Sequence, residues 1–169
     1  MIRVRMNVST VKKGDLEKKL AELRTAFSGP KEVKVGLPVG KADANVIEYA
    51  FFNHFGTKGS GKGFVRNGIG GFGGPIPARP FIKAAMFEGQ GEVKAAMQSV
   101  AKITINGGDL QAGMMKLGLL GQNLIQDKIK SGMAPANSPL TIKIKGSSGT
   151  LRDEGRLFGS ITWKLDGVT

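Results

Sequence analysis

At 169 residues the chain has the length of one domain with a buried core, and a single domain over 1–169 is the expectation. It contains no cysteine, which excludes disulfides, thiolate metal sites and cysteine nucleophiles. A formal net charge of +12 and 26 glycines, about twice the usual share, point to basic loops suited to phosphate backbones or to acidic protein surfaces.

Ile2, Val4, Met6 and Val8 alternate with Arg3, Arg5 and Asn7, the period of a half-buried strand and not the pattern of a signal peptide. Leu16, Leu20, Leu23 and Phe27 then fall at helical spacing behind Asp15, and Gly29-Pro30 ends that helix. Val33, Val35 and Leu37 give a second strand. Asp43 is an N-cap for a helix reaching Phe55, with Val46, Ile47, Ala50 and Phe51 on one side and Gly56 as its C-terminal stop.

Gly56 to Gly74 has no period, and the expectation is a long flexible loop or arm. Its scattered apolar residues, Phe64, Val65, Ile69 and Phe72, suit docking on a partner or folding back on the same subunit. Pro75-Ile76-Pro77-Ala78-Arg79-Pro80-Phe81 joins this arm to a helix starting at Pro80, where a missing N–H costs nothing. The helical pattern is interrupted at Gly89-Gln90-Gly91 and continues to about Ile105. Asp109 caps the next helix, which runs to about Lys130 and stops at Gly132. Gly113, Gly118 and Gly121 within it suit close approach by another helix. After the turn-rich Pro135 to Pro139, the alternation of Leu140, Ile142 and Ile144 predicts a short strand. Asp153 to Gly159 predicts one helical turn, and Ile161, Trp163 and Leu165 a last strand. The fold class is α+β: a small mixed or antiparallel sheet packed by two or three helices, with a long Gly-rich arm at 56–74.

Charge is segregated. No acid lies between Glu48 and Glu88, where Lys58, Lys62, Arg66, Arg79 and Lys83 fall. None lies between Asp127 and Asp153, where Lys128, Lys130, Lys143, Lys145 and Arg152 fall. Solubility alone would also account for such charge.

Catalytic and nucleotide motifs fail on their details. Gly56 to Lys62 fits the first seven places of a phosphate-binding P-loop, but the eighth, which needs a hydroxyl for magnesium, is Gly63. Gly68, Gly70 and Gly73 satisfy G-x-G-x-x-G, but two prolines follow where a helix N-terminus is needed. His54, the only histidine, has no metal-binding spacing around it and is expected to interact with a helix C-terminal dipole. Asp153 and Glu154 are neighbours whose side chains would diverge on a helix. The expectation is no enzyme, no cofactor and no metal.

Three blocks carry a family resemblance. They are Asn53-His54-Phe55-Gly56-Thr57, Ile76-Pro77-Ala78-Arg79-Pro80-Phe81, and Pro139-Leu140-Thr141 followed by Leu151, Asp153, Gly155, Leu157, Ser160, Ile161 and Trp163. Together they resemble the small tail-completion or head–tail joining (neck) proteins of long-tailed bacteriophages, of the virion-morphogenesis type, over most of the chain beyond about residue 43. Glu154 stands where that family's pattern has threonine. The resemblance implies a structural virion protein at the head–tail junction, made in the bacterial host cytoplasm. It implies a homo-oligomeric ring, a hexamer among the options, contacting other neck, tail-terminator or tail-tube proteins, with genomic DNA in its lumen and no membrane partner.

On this reading, contacts to subunits, partners or DNA fall to Lys58, Lys62, Phe64, Arg66, Phe72, Arg79, Lys143, Lys145 and Arg152. The competing reading is a sequence-independent DNA-binding protein that uses the same basic loops, with strongly salt-dependent affinity.

Overall fold

The structure, a computed structural model, describes residues 13–30, 32–59, 63–66, 69–151 and 155–167. The strand expected over Ile2–Val8, the loop residue Lys62, and Arg152, Asp153 and Glu154 lie outside the described residues. The element order is α1 (Lys13–Ala26), β1 (Glu32–Gly36), α2 (Ala44–Phe55), β2 (Gly63–Arg66), β3 (Ile69–Phe72), α3 (Phe81–Glu88), α4 (Gln90–Ile105), α5 (Leu110–Ser131), α6 (Pro139–Lys145), α7 (Arg156–Ser160) and β4 (Thr162–Asp166). This is a small α+β fold: β1 and β4 form a two-stranded antiparallel sheet, and β2 and β3 form a separate hairpin.

The fold is built around α5. At 22 residues it is about 33 Å long. Asp109 starts it by accepting a hydrogen bond from the Gln111 N–H at 2.8 Å, and Gly132, at φ 78°, ends it. α5 packs against α3, α4 and both strands of the β1–β4 sheet. The glycines within it mark those crossings. A Cβ on Gly113 would lie 2.6 Å from Val100 of α4, one on Gly118 2.5 Å from the Trp163 ring, and one on Gly121 3.0 Å from Val35. One glycine therefore admits a helix, as the sequence suggested, and two admit the sheet. Val35 and Trp163 are register partners, so the sheet presents that pair towards α5. Gly89 separates α3 from α4 for the same kind of reason, since a Cβ there would meet Leu124 of α5 at 2.6 Å.

The core joins Phe81 and Ala85 of α3, Val46 and Ala50 of α2, Ile125 and Ile129 of α5, and Leu151, Leu157 and Ile161 from the C-terminal region. Phe81, Ile125 and Ile129 are fully buried. Their removal from water is the main stabilising term at this end of the molecule.

Two expectations are corrected. Leu140–Ile144 is the helix α6, not a strand. Ser138 accepts from the Thr141 N–H at 3.1 Å, Pro139 occupies the first turn, and Gly146 ends the helix in the left-handed region at φ 68°. Seven residues are too few to separate a period of two from one of 3.6, and the cap residues decide the outcome. The arm is also not an unpatterned loop. Gly63–Arg66 pairs antiparallel with Ile69–Phe72, placing Phe64 opposite Gly71 and Arg66 opposite Ile69.

Candidate assembly surface

The first two sequence blocks meet at one joint. The Arg79 N–H donates to the Asn53 carbonyl at 2.7 Å, and the Thr57 N–H donates to the Ile76 carbonyl at 2.8 Å. Thr57 Oγ1 accepts from the Ile76 and Gly59 N–H groups, both at 3.3 Å. The backbones approach too closely for side chains. At Gly56, φ is 77° and a Cβ would lie 2.8 Å from the Ile76 oxygen; at Gly59, φ is 87° and a Cβ would lie 2.6 Å from the Gly73 oxygen. These glycines let the chain leave α2, run out to the hairpin and return beside its own departure point.

Arg79 locks this joint to the loop that precedes the third block. Its Nε donates to the Pro135 carbonyl at 2.9 Å, and Nη2 donates to the Ala136 carbonyl at 3.2 Å and to Asn137 Oδ1 at 3.4 Å. Asn137 Nδ2 passes the connection on, donating to the carbonyls of Ser148 and Gly149. Arg79 is only 5% exposed. Burial lowers its pKa and the neighbouring Tyr49 opposes that shift; an arginine stays charged under either influence. The residue expected to reach a partner is therefore an internal clamp. A cleft of about 460 Å³ opens beside it, with Tyr49, Ser138, Thr141 and Lys145 on its walls.

The other expected contact residues are dispersed. Lys58 is exposed at the root of the hairpin, and Lys143 is exposed on α6. Lys145 shares the cleft with Arg79 and donates to the Gly149 carbonyl at 2.9 Å. Phe64, Arg66 and Phe72 are placed by backbone register in the hairpin. Lys62 and Arg152 lie outside the described residues.

On the other side of α2 lies an apolar groove of about 370 Å³, formed with α3. Phe51 and Phe55, 57% and 64% exposed, stand at its edge and pack ring against ring with centroids 4.7 Å apart. Sequence reasoning missed this aromatic face. The available signal was the composition of α2, where Val46, Ile47, Tyr49, Ala50, Phe51, Phe52 and Phe55 exceed what one buried stripe accommodates.

His54 lines the same groove. Its ring meets Phe81 edge-on at 5.3 Å between centroids, and its Nδ1 is buried without a hydrogen-bond partner. Burial, then the nearby Lys83 charge, hold its pKa below the usual histidine value. His54 stands in the last turn of α2, as expected, where the helix dipole favours a charged imidazole; burial acts against that charge.

Among the described residues, no group of acidic, histidine or cysteine side chains is arranged to hold a metal, and no helix is long and apolar enough to cross a membrane. Compared with protein-family models, curated proteins and solved structures, the chain matches none of them.

Proposed function

We propose that the chain is a structural virion protein of the tail-completion or head–tail joining type, assembling as a ring of identical subunits at the phage neck. The observation that carries this reading is that residues of all three resemblance blocks line one cleft: Asn53 from the first, Ile76, Pro77 and Arg79 from the second, and Thr141 and Leu151 from the third. Asn53, Arg79 and the 135–137 loop are far apart in sequence, yet direct hydrogen bonds connect them. Residues shared with a family only by chance would have no reason to line one cleft. The hairpin's principal packing is strand on strand, which suits it to meet a neighbour. In this role the exposed Lys58 and Lys143 meet acidic protein surfaces or the DNA path, and the protein catalyses no reaction.

The test replaces Lys58 to Gly73 with a short Gly-Ser linker. The variant is expected to keep its circular dichroism and cooperative unfolding, because the core cluster among the described residues lies outside this segment, and to fail to enter particles. A variant that folds and still yields normal infectious particles would remove the hairpin's joining role.

A further inference from the structure

Arg79 is a buried cation without a counter-charge. A buried charge is ordinarily paired, because neutral acceptors alone do not repay its loss of water. Its hydrogen bonds go to the Pro135 and Ala136 carbonyls and to Asn137 Oδ1, all uncharged. Among the described residues no ion pair joins it to an acid. Burial is accordingly the largest influence on its pKa, downward, and Tyr49 is what acts against it.

One edge of the guanidinium is still open. An arginine has more N–H donors than these bonds use. They are made by Nε and Nη2, and Nη1 has no hydrogen-bond partner among the described residues. Nor is Nη1 an enclosed orphan. The buried side-chain atoms without a partner there are His54 Nδ1 and Thr104 Oγ1. Nη1 therefore opens on the cleft of about 460 Å³ that Arg79 lines, a volume in the range of clefts that enclose small ligands.

The walls say which anion fits. The described lining holds two cations, Arg79 and Lys145, and no acid. Lys145 already donates to the Gly149 carbonyl, so the site stands on Arg79. Ile76, Pro77, Pro135 and Leu151 make part of the lining apolar, and Tyr49 and Thr141 bring hydroxyls. An anion on a short aliphatic stem matches both. The carboxylate of an aspartate or glutamate is such a group, and it pairs with a guanidinium by short, charge-assisted hydrogen bonds. Duplex DNA fits poorly. Arg79 is deep in the cleft, and a stiff duplex cannot bring a backbone phosphate below the walls.

We propose that this cleft is a binding site for an acidic peptide segment, one carboxylate of which meets Nη1 of Arg79. The guanidinium then works from both sides: Nε and Nη2 fix it to the 135–137 loop, and Nη1 receives the partner. A side chain already held in this way loses little freedom on binding. In the assembly reading above, the acidic segment belongs to a neighbouring neck chain. That attribution rests on the reading; the site rests on Arg79 and the cleft.

The Arg79 Nε–H is buried and hydrogen-bonded, so its proton exchanges slowly enough to follow by NMR. Its signal is assigned by its loss in Arg79→Lys. The isolated wild-type subunit is titrated with acetyl-Ala-Glu-Glu-Ala-amide, with the Gln-Gln counterpart, and with a short DNA duplex. The Glu peptide is expected to shift the Arg79 signal saturably, together with the amides of Tyr49 and Thr141. The Gln peptide is expected to bind at least about ten-fold more weakly. No Arg79 shift at millimolar Glu peptide overturns the proposal, as do shifts confined to surface lysines. Equal binding of the two peptides removes the role of the carboxylate. A duplex that moves the Arg79 signal as far as the Glu peptide does reassigns the site to phosphate. Binding seen only after Asp153→Asn and Glu154→Gln are combined overturns it in favour of the chain's own acids. The hairpin replacement above tests the neck reading separately. Particle entry by that variant leaves the peptide site standing, and a silent Arg79 signal leaves the neck reading standing.

Discussion

Replacing Arg79 tests the joint most directly. Arg79→Met keeps most of the aliphatic stem and removes the guanidinium. Two charge-assisted hydrogen bonds are lost, to Pro135 and Ala136, along with a long one to Asn137 at 3.4 Å. Bonds of the first kind contribute about 1.5–3 kcal/mol each, and one at 3.4 Å adds little. Water entering from the adjacent cleft recovers part of the loss, and methionine is spared the cost of burying a charge. The net destabilisation expected is about 2–3 kcal/mol. Arg79→Ala also loses stem packing and should cost about 3–4 kcal/mol. Arg79→Lys, with one ammonium reaching one carbonyl, should cost about 1–2 kcal/mol. Urea unfolding should show the midpoint falling in the order Lys, Met, Ala with an unchanged slope. For a chain of this size, 3 kcal/mol corresponds to a drop of roughly 6–12 °C in Tm. An Arg79→Met variant within about 0.5 kcal/mol of wild type, the range of an ordinary surface change, would refute the clamp.

Two further predictions follow from local geometry. Gly118→Ala gains about 1 kcal/mol of helix propensity but forces a methyl into the Trp163 ring, so it should be net destabilising by up to about 2 kcal/mol. Gly91→Ala meets nothing within 4 Å and should stabilise by up to about 1 kcal/mol; chemical denaturation of the pair would expose an error in either contact. His54 should make stability depend on pH. Its folded pKa is lowered, so the unfolded chain binds the proton more readily. The contribution is complete above the ordinary value of about 6.5 and is lost as pH falls through the folded pKa, with a slope of at most about 1.4 kcal/mol per pH unit. His54→Leu should flatten that slope, and wild-type stability that is level from pH 7 to 5 would contradict the assignment.

The helices were legible where a cap and a period agreed. Asp43, Asp109, Gly56 and Gly132 mark the ends of α2 and α5 as their side-chain chemistry requires. The pairing of β1 with β4 was beyond a local reading, since Val35 and Trp163 are distant in sequence and only α5, packed over both, brings them together. α6 was misread because alternation over a few residues outweighed the Ser-Pro start and the glycine stop. Arg79 was visible as a cation and not as a clamp. Its acceptors are main-chain carbonyls at 135 and 136, and carbonyls leave no mark on a sequence. The aromatic face of α2 was visible only as a surplus of apolar residues.

Pairing within the arm changes how a partner would recognise it. A fully flexible segment from Gly56 to Gly74 would lose about 1–2 kcal/mol of backbone entropy per residue on binding, and glycine loses the most. Eight of these residues are instead held as β2 and β3. Their ordering is already complete in the free subunit, so contact made through Phe64, Arg66 or Phe72 need not offset it again. The Thr57–Ile76 bridge fixes the root of the hairpin to the same joint that Arg79 ties to the core. A load on the hairpin therefore reaches α2, α3 and the 135–137 loop through short hydrogen bonds. That connection suits a part that must carry force between subunits better than a tether that merely finds them. Gly56 and Gly59 permit that root, since a Cβ at either would meet the backbone of the returning chain.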